Sequence, residues 1–233
     1  VEAFCEQGAS VACIDRDSQN GAALVDRICQ AGGHAEFFAA DVGEPSQVQE
    51  AVTKTVARLG APNVLFNHAG TAVIKPFLQI REEDFWHLMR VNVFSMFCVS
   101  QAVIPHMLKQ GGGSIVCTSS ISAYLATPNE VLYCVSKSAC EMFARSIAIE
   151  FHKQNIRCNS VSPGFIDTPH GQRELTELQR SGMNPDIVGT IVERQGRLGS
   201  PREIADVVVF VAGSRGRFLN GTNIVADNGF SAQ

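Results

Sequence analysis

The chain of 233 residues has no low-complexity linker and no internal repeat. It also has no uninterrupted apolar run of the ~18 residues that a membrane span needs. It has no CxxC pair. No grouping of His, Cys, Asp and Glu has metal-ligand spacing, so no metal site is expected. Basic residues are not in excess: 19 Lys and Arg against 23 Asp and Glu give a net charge of -4. That balance leaves no electrostatic footprint for nucleic acid or an anionic membrane surface. The eight cysteines are scattered. Cys13, Cys98, Cys117 and Cys158 sit in apolar periodic segments, where a free thiol packs as a small hydrophobe. A reduced, cytoplasmic protein is expected rather than a disulfide framework. Apolar residues at 45% and charged residues at 18% suit one large core, and the chain reads as a single domain over 1–233.

Apolar patterning supplies the order of elements. Helix opens the chain and ends at Gly8, and strands are expected at 10–14, 35–40, 63–67, 114–119, 157–161 and 223–226. Helices are expected at 21–31, 44–59, 82–110, 133–152 and 201–212. Gly111-Gly112-Gly113 makes the turn from the long helix to the next strand. Strands that are apolar on both faces and alternate with helices form a parallel sheet covered on both sides. The fold class is therefore α/β, a three-layer doubly wound parallel sheet. Residues 167–199 break the rhythm as a long irregular piece, which in a compact domain serves as a lid or binding segment.

Doubly wound dinucleotide sites place an acidic residue at the end of the second strand, ~20 residues after a glycine-rich phosphate loop. Asp15 ends the run Val11-Ala-Cys-Ile-Asp15 and suits that role. Counting back runs off the chain, so the first strand and its loop are expected to be missing from this sequence. Such a sheet would expose two strand edges and lack the amides that hold a pyrophosphate.

The strongest chemical signal is Tyr133 and Lys137, four residues apart and hence on one helix face. A phenol titrates near pH ~10, too high for proton transfer at neutrality. A neighbouring cation stabilises the phenolate and brings tyrosine into range as a general acid/base. Ser120 ends the strand just upstream, where its hydroxyl can hold a substrate oxygen; Ser119 is the other choice.

The spacing Ser-x12-Tyr-x3-Lys resembles the active-site signature of the short-chain dehydrogenase/reductase family, and the resemblance runs from Asp15 to Asp227-Asn-Gly-Phe230. It implies a Rossmann fold and carries further roles onto matching residues. Asp41 and Val42 would lie near the adenine. Asn67-His-Ala69-Gly70 matches the family's Asn-Asn-Ala-Gly segment, with His68 in place of the second asparagine. Asn92 matches the active-site asparagine, whose buried amide would reach the lysine through a water. Pro163-Gly164-Phe-Ile166-Asp-Thr168 matches the segment that contacts the nicotinamide carboxamide. Catalysis would rest on Asn92, Ser120, Tyr133 and Lys137, with Lys137 also holding the nicotinamide ribose.

The implied function is hydride transfer between a nicotinamide cofactor and a secondary alcohol or ketone. Two alternatives stand beside it: a 3-oxoacyl-thioester reductase, and a catalytically silent NAD-binding regulator. Enoyl reductases space their tyrosine and lysine farther apart. Pocket candidates are Tyr124, Leu125, Asn129, Phe165, His170 and Met183, with Arg173, Arg180 and Arg194 as charges on the lid. The resemblance also implies a homotetramer through the two long helices. A carboxylate at Asp15 can accept both ribose hydroxyls of NAD but repels the 2′-phosphate of NADP. Asp15→Ala is therefore expected to shift the NAD to NADP ratio of kcat/KM by about tenfold towards NADP; an unchanged ratio would remove Asp15 from cofactor choice.

Overall fold

The computed structural model describes residues 1–180 and 186–232. In chain order the elements are α1 (Glu2–Glu6), β1 (Ser10–Asp15), α2 (Ser18–Gln30), β2 (His34–Ala39), α3 (Pro45–Leu59) and β3 (Val64–Asn67). Then follow α4 (Glu82–Met89), a π-helical turn (Arg90–Phe94), α5 (Ser95–Lys109), β4 (Gly113–Thr118) and α6 (Val131–Phe151). The chain continues through β5 (Ile156–Pro163), α7 (Pro169–Arg180), α8 (Ile187–Gln195), α9 (Pro201–Ala212) and β6 (Asn223–Ala226).

All strand pairs are parallel, with β1 beside β2 and a second sheet in the order β3-β4-β5-β6. Successive side chains on a strand point to opposite faces, and β4 and β5 use both. Ile115, Cys117, Ile156 and Cys158 pack with Val48 and Val52 of α3, Val99, Val103 and Met107 of α5, and Cys140 and Ala144 of α6. Val116 and Val161 face the other way, against Val208 and Val211 of α9 and Phe4 of α1.

β1 and β3 do not pair; both line a cavity of about 740 Å³ together with Val42, Val99 and Val103. The break falls where the doubly wound order places its first strand.

Two sequence expectations change. The described part of 167–199 is not irregular, because α7 and α8 occupy most of it. Leu175, Leu178, Ile187 and Ile191 form a small core there with Ile121 and Phe230. Only two leucines of α7 are buried, three residues apart on one face of an otherwise polar run. The expected helix 82–110 is interrupted by the π turn at Arg90–Phe94. The 28-residue run Glu82–Lys109 also reaches a mean hydropathy of 1.4 over its most apolar window, so by length and composition it could cross a membrane. Its buried share, 56% of that window, and its place in the main core mark it as a core helix.

Gly112 has φ 139°, and a Cβ there would lie 2.4 Å from the Asn155 carbonyl, so the turn into β4 requires glycine. Arg157 of β5 ties the layers together. Its guanidinium donates to the carbonyls of Val211 (3.0 Å), Ala212 (3.1 Å) and Leu219 (2.9 Å) and to Ser114 Oγ (3.0 Å). It thereby satisfies the last carbonyls of α9, which have no helical partner. Arg157→Met should lower stability by about 2 kcal/mol in urea unfolding; an unchanged midpoint and slope would show that water replaces the clasp.

Candidate active site

The residues at the carboxyl ends of parallel strands converge on one edge of the sheet, where open α/β folds bind ligands. Ser120 follows β4 and begins a short 3-10 turn, its Oγ accepting from Ser122 N at 3.1 Å. α6 returns over this edge and brings Tyr133 and Lys137 to it, with Tyr133, Lys137 and Ser120 all buried. Ser120 stands close enough to the Tyr133 phenol to pull its pKa down. Ser119 turns away and donates to the Lys137 carbonyl at 3.0 Å. Of the two serines, Ser120 is the one at the phenol.

Lys137 Nζ lies 5.7 Å from the Tyr133 ring centroid and donates to the Thr118 carbonyl at 3.2 Å. The expected lowering of the phenol's pKa is not found. Burial, reinforced by the Glu174 and Glu130 carboxyls, pushes Tyr133 well above its ordinary value, against a smaller pull from Ser120. Burial lowers Lys137. The ammonium sits over the ring, and desolvation of the phenol outweighs it.

Asn92 is fully buried within the π turn. Its amide donates to the Thr71 carbonyl (2.9 Å) and Ser136 Oγ (3.0 Å), and its Oδ1 accepts from Thr71 N (2.8 Å). These partners come from the loop after β3 and from Ser136 of α6. A Cβ on Gly70 would lie 3.5 Å from both Asn92 Oδ1 and Lys137 Nζ, so this loop runs close against the constellation.

The expected cofactor residues occupy the ends of four strands. Asp15, exposed at the end of β1, accepts from Asp17 N at 2.9 Å. Asp41 Oδ1 accepts from Gly43 N at 2.8 Å, and Val42 lines the cavity. Asn67 donates to Ser100 Oγ at 3.2 Å, and Ala69 shares the cavity with it. After β5, Gly164 N reaches the Ala226 carbonyl at 3.1 Å, and Ile166 bridges to Gly199. A Cβ on Gly164 would fall 2.4 Å from Gln195 Oε1, which explains the glycine after Pro163. Thr168 Oγ1 accepts from Gly171 N at 2.9 Å and caps α7. The exposed Asp15 carboxylate and the hydroxyl and backbone groups after β5 are polar groups of the kind a dinucleotide site uses.

His68 stacks on Phe66 (centroids 4.9 Å), with Nδ1 2.9 Å from Thr118 Oγ1. Its surroundings and the Lys137 charge lower its pKa and favour the neutral ring. Cys134 is half-buried and its thiol is raised by burial, which suits packing. Leu125 and Phe165 join the lid core, whereas Tyr124 is half-exposed and donates to Ser231 Oγ at 3.3 Å. Asn129 has φ 66° and receives Lys75 N on its carbonyl at 2.8 Å. Arg194 donates to the Phe230 carbonyl at 3.0 Å and lies 4.3 Å over its ring, bracing the lid. Met183 lies outside the described residues.

Sequence reasoning missed Glu130 and Glu174. Glu130 immediately precedes α6 and is 2% exposed. Glu174 projects from α7, and burial beside Glu130 pushes it up to about 8. Glu130 stands one turn before Tyr133 and could have been noticed; its partner lies on α7, whose i, i+3 leucines also carry a helical signal.

Comparison with known proteins places this geometry. A family model described as Enoyl-(Acyl carrier protein) reductase matches residues 1–231. A 3-oxoacyl-(acyl-carrier-protein) reductase of Thermotoga maritima is 33% identical over 226 residues, 97% of this chain and 89% of the relative. A gluconate 5-dehydrogenase of Burkholderia cenocepacia, solved with NADP and tartrate, superposes with a TM-score of 0.89 at 29% identity, covering 99% of this chain and 89% of that one. A 7α-hydroxysteroid dehydrogenase solved with NADH and a 7-oxo bile acid gives a TM-score of 0.88 at 30% identity, covering 97% and 86%. The chain belongs to the short-chain dehydrogenase/reductase family. Its relatives are oxidoreductases, and its structural neighbours bind a nicotinamide cofactor.

The two serines separate position from function. Ser120→Ala is expected to lower kcat about a hundredfold with little change in Tm. Ser119→Ala should cost about 1 kcal/mol of stability and leave kcat nearly intact. The reverse pattern would exchange their roles.

Proposed function

We propose that this protein is an NAD-preferring dehydrogenase of a secondary alcohol, or the corresponding ketone reductase, with Tyr133 as general acid/base. The observation that carries the reading is the buried Tyr133 phenol with Ser120 beside it and Lys137 over the same ring. The nicotinamide, when bound, supplies or accepts the hydride. Asp15 would hold its adenosine ribose, Asp41 and Val42 the adenine side, and Asn67, Ala69 and Gly70 the middle of the molecule. Pro163, Gly164, Ile166 and Thr168 would hold the carboxamide end.

Ser120 aligns the substrate oxygen with the Tyr133 hydroxyl. In reduction, Tyr133 delivers its proton to that oxygen, and the dry surroundings that raise its pKa keep the proton in place until then. In oxidation, Tyr133 takes the alcohol proton. Lys137 then stabilises the phenolate on the reaction path, so its charge counts most when the proton is away from Tyr133. Asn92 holds the loop after β3 against Lys137. The lid, residues 167–199, covers the substrate, and the whole chain acts as one domain. Half-exposed Phe94 and Phe97, with exposed Met142 and Ile149, give α5 and α6 an apolar outer face that suits a homotetramer; Phe143 is buried against Phe97 instead.

A second reading, a 3-oxoacyl-thioester reductase, is favoured by the Thermotoga relative. Both readings share Tyr133 chemistry. The test follows absorbance at the reduced-nicotinamide band with alcohols, ketones and a 3-oxoacyl thioester, using NAD and NADP in parallel. Tyr133→Phe should lower kcat by roughly a hundred- to ten-thousandfold while cofactor affinity stays within a few fold. Retained turnover would take Tyr133 out of the mechanism. Tight cofactor binding without turnover on any substrate would favour the silent regulator.

A further inference from the structure

α7 meets the start of α6 through two carboxyl groups, and among the described residues neither makes a salt bridge to Lys or Arg. Glu130 is buried, and the Ser122 hydroxyl reaches it at only 3.5 Å. Glu174 faces it from α7 with a side chain 15% exposed. The two carboxyls lie within reach of each other, and each acts on the other's titration. An ionised carboxylate only accepts, so a hydrogen bond between them requires a proton on one of them.

The groups around the pair do not remove that requirement. From α6, Lys137 lies near Glu174 but gives its Nζ to the Thr118 carbonyl. His170, one turn earlier on α7, stands 3.9 Å from Glu174, and burial with the nearby Arg173 and Lys137 charges keeps its pKa low. Glu177 adds negative charge from α7, and the Thr127 hydroxyl bonds Glu130. Tyr133 and Cys134 flank the pair on α6, and both are raised with help from its charge.

Resting on the reading of Tyr133 as acid and base, we propose that Glu130 and Glu174 are positioning residues that share one proton. That proton fastens α7 to the start of α6 and sets the substrate-pocket wall beside Tyr133. The wall is the cluster of Leu175 and Leu178 with Ile121 and Phe230.

Loss of the shared proton to solvent leaves two carboxylates in contact inside the protein, and their repulsion drives α7 outward. The sign follows from the raised pKa values. Below the ordinary carboxyl range both folded and unfolded chains are protonated, and the fastening is complete. It weakens as pH rises through the folded value, about 8 for Glu174. The same ionisation places a second charge beside Tyr133 and makes the phenolate harder to form. Both effects reduce alcohol oxidation on the alkaline side.

The test compares the cofactor-loaded wild type with Glu130→Gln and Glu174→Gln, since an amide can donate to the remaining carboxylate without a shared proton. In the wild type, kcat/KM for oxidation should fall about tenfold per pH unit above the transition, largely through KM. In the variants that limb should vanish or move up by about one unit. The same limb in all three proteins overturns the proposal. Hydrogen exchange in α7 of the cofactor-free protein, corrected for intrinsic pH dependence, gives a second readout independent of turnover. Protection should fall about tenfold across the transition in the wild type and stay level in the variants. Equal behaviour in all three overturns the fastening. Wild-type-only opening without turnover on any substrate upholds it and counts against the dehydrogenase reading.

Discussion

The parallel pairing of β4 with β5, buried on both faces, is the constraint from which the site follows. Ile115, Cys117, Ile156 and Cys158 close one core, and Val116 and Val161 close the other. Burial of each such isoleucine or valine contributes about 1.5–3 kcal/mol. Because β3 and β5 both run parallel to β4, the three strands end on the same edge. Asn67, Ser120 and the segment from Pro163 onward therefore meet without any loop having to travel. Arg157 adds the outer clasp by joining β5 to the end of α9.

Polar groups at that edge are buried in unusual number: Asn67, Asn92, Ser119, Ser120, Glu130, Ser136 and Lys137. A buried polar group without a partner costs about 1–3 kcal/mol, and among the described residues no buried side-chain nitrogen or oxygen lacks one. The satisfaction is reciprocal and therefore rigid. Asn92 holds Thr71 by both its N–H and its carbonyl, and Ser119 secures the Lys137 carbonyl. The π turn has a consequence here. Such turns inside helices often mark functional sites, and this one carries the fully buried amide of Asn92.

What the sequence disclosed and what it hid divide along a physical line. Strands such as β4 and helices such as α3 were legible because burial writes its period into apolar residues. Tyr133 and Lys137 were legible because one helix fixes their separation. The π turn left no trace, since Arg-Val-Asn-Val-Phe reads as ordinary helix and only the tertiary pull on Asn92 shows it. α7 kept a helical period in Leu175 and Leu178, but its polar overall composition obscured it. The state of Tyr133 was misjudged for a related reason. Spacing reports that a cation is near, but not that the phenol is dry or that a carboxyl pair stands beside it.

That last difference bears on how the site works. A phenol whose pKa were already low at rest would lose its proton to solvent and hold nothing for a ketone oxygen. Here desolvation and the neighbouring carboxyls keep Tyr133 neutral, while Lys137 sits 5.7 Å from its ring centroid. The attraction between ammonium and phenolate exists only once the proton has moved. Stabilisation that grows along the reaction path lowers the barrier, whereas equal stabilisation of the resting state would not. A raised resting value and a fixed cation over the ring are therefore two halves of one arrangement. Burial supplies most of the first half, and the carboxyl pair adds to it because its charge makes the phenolate costlier.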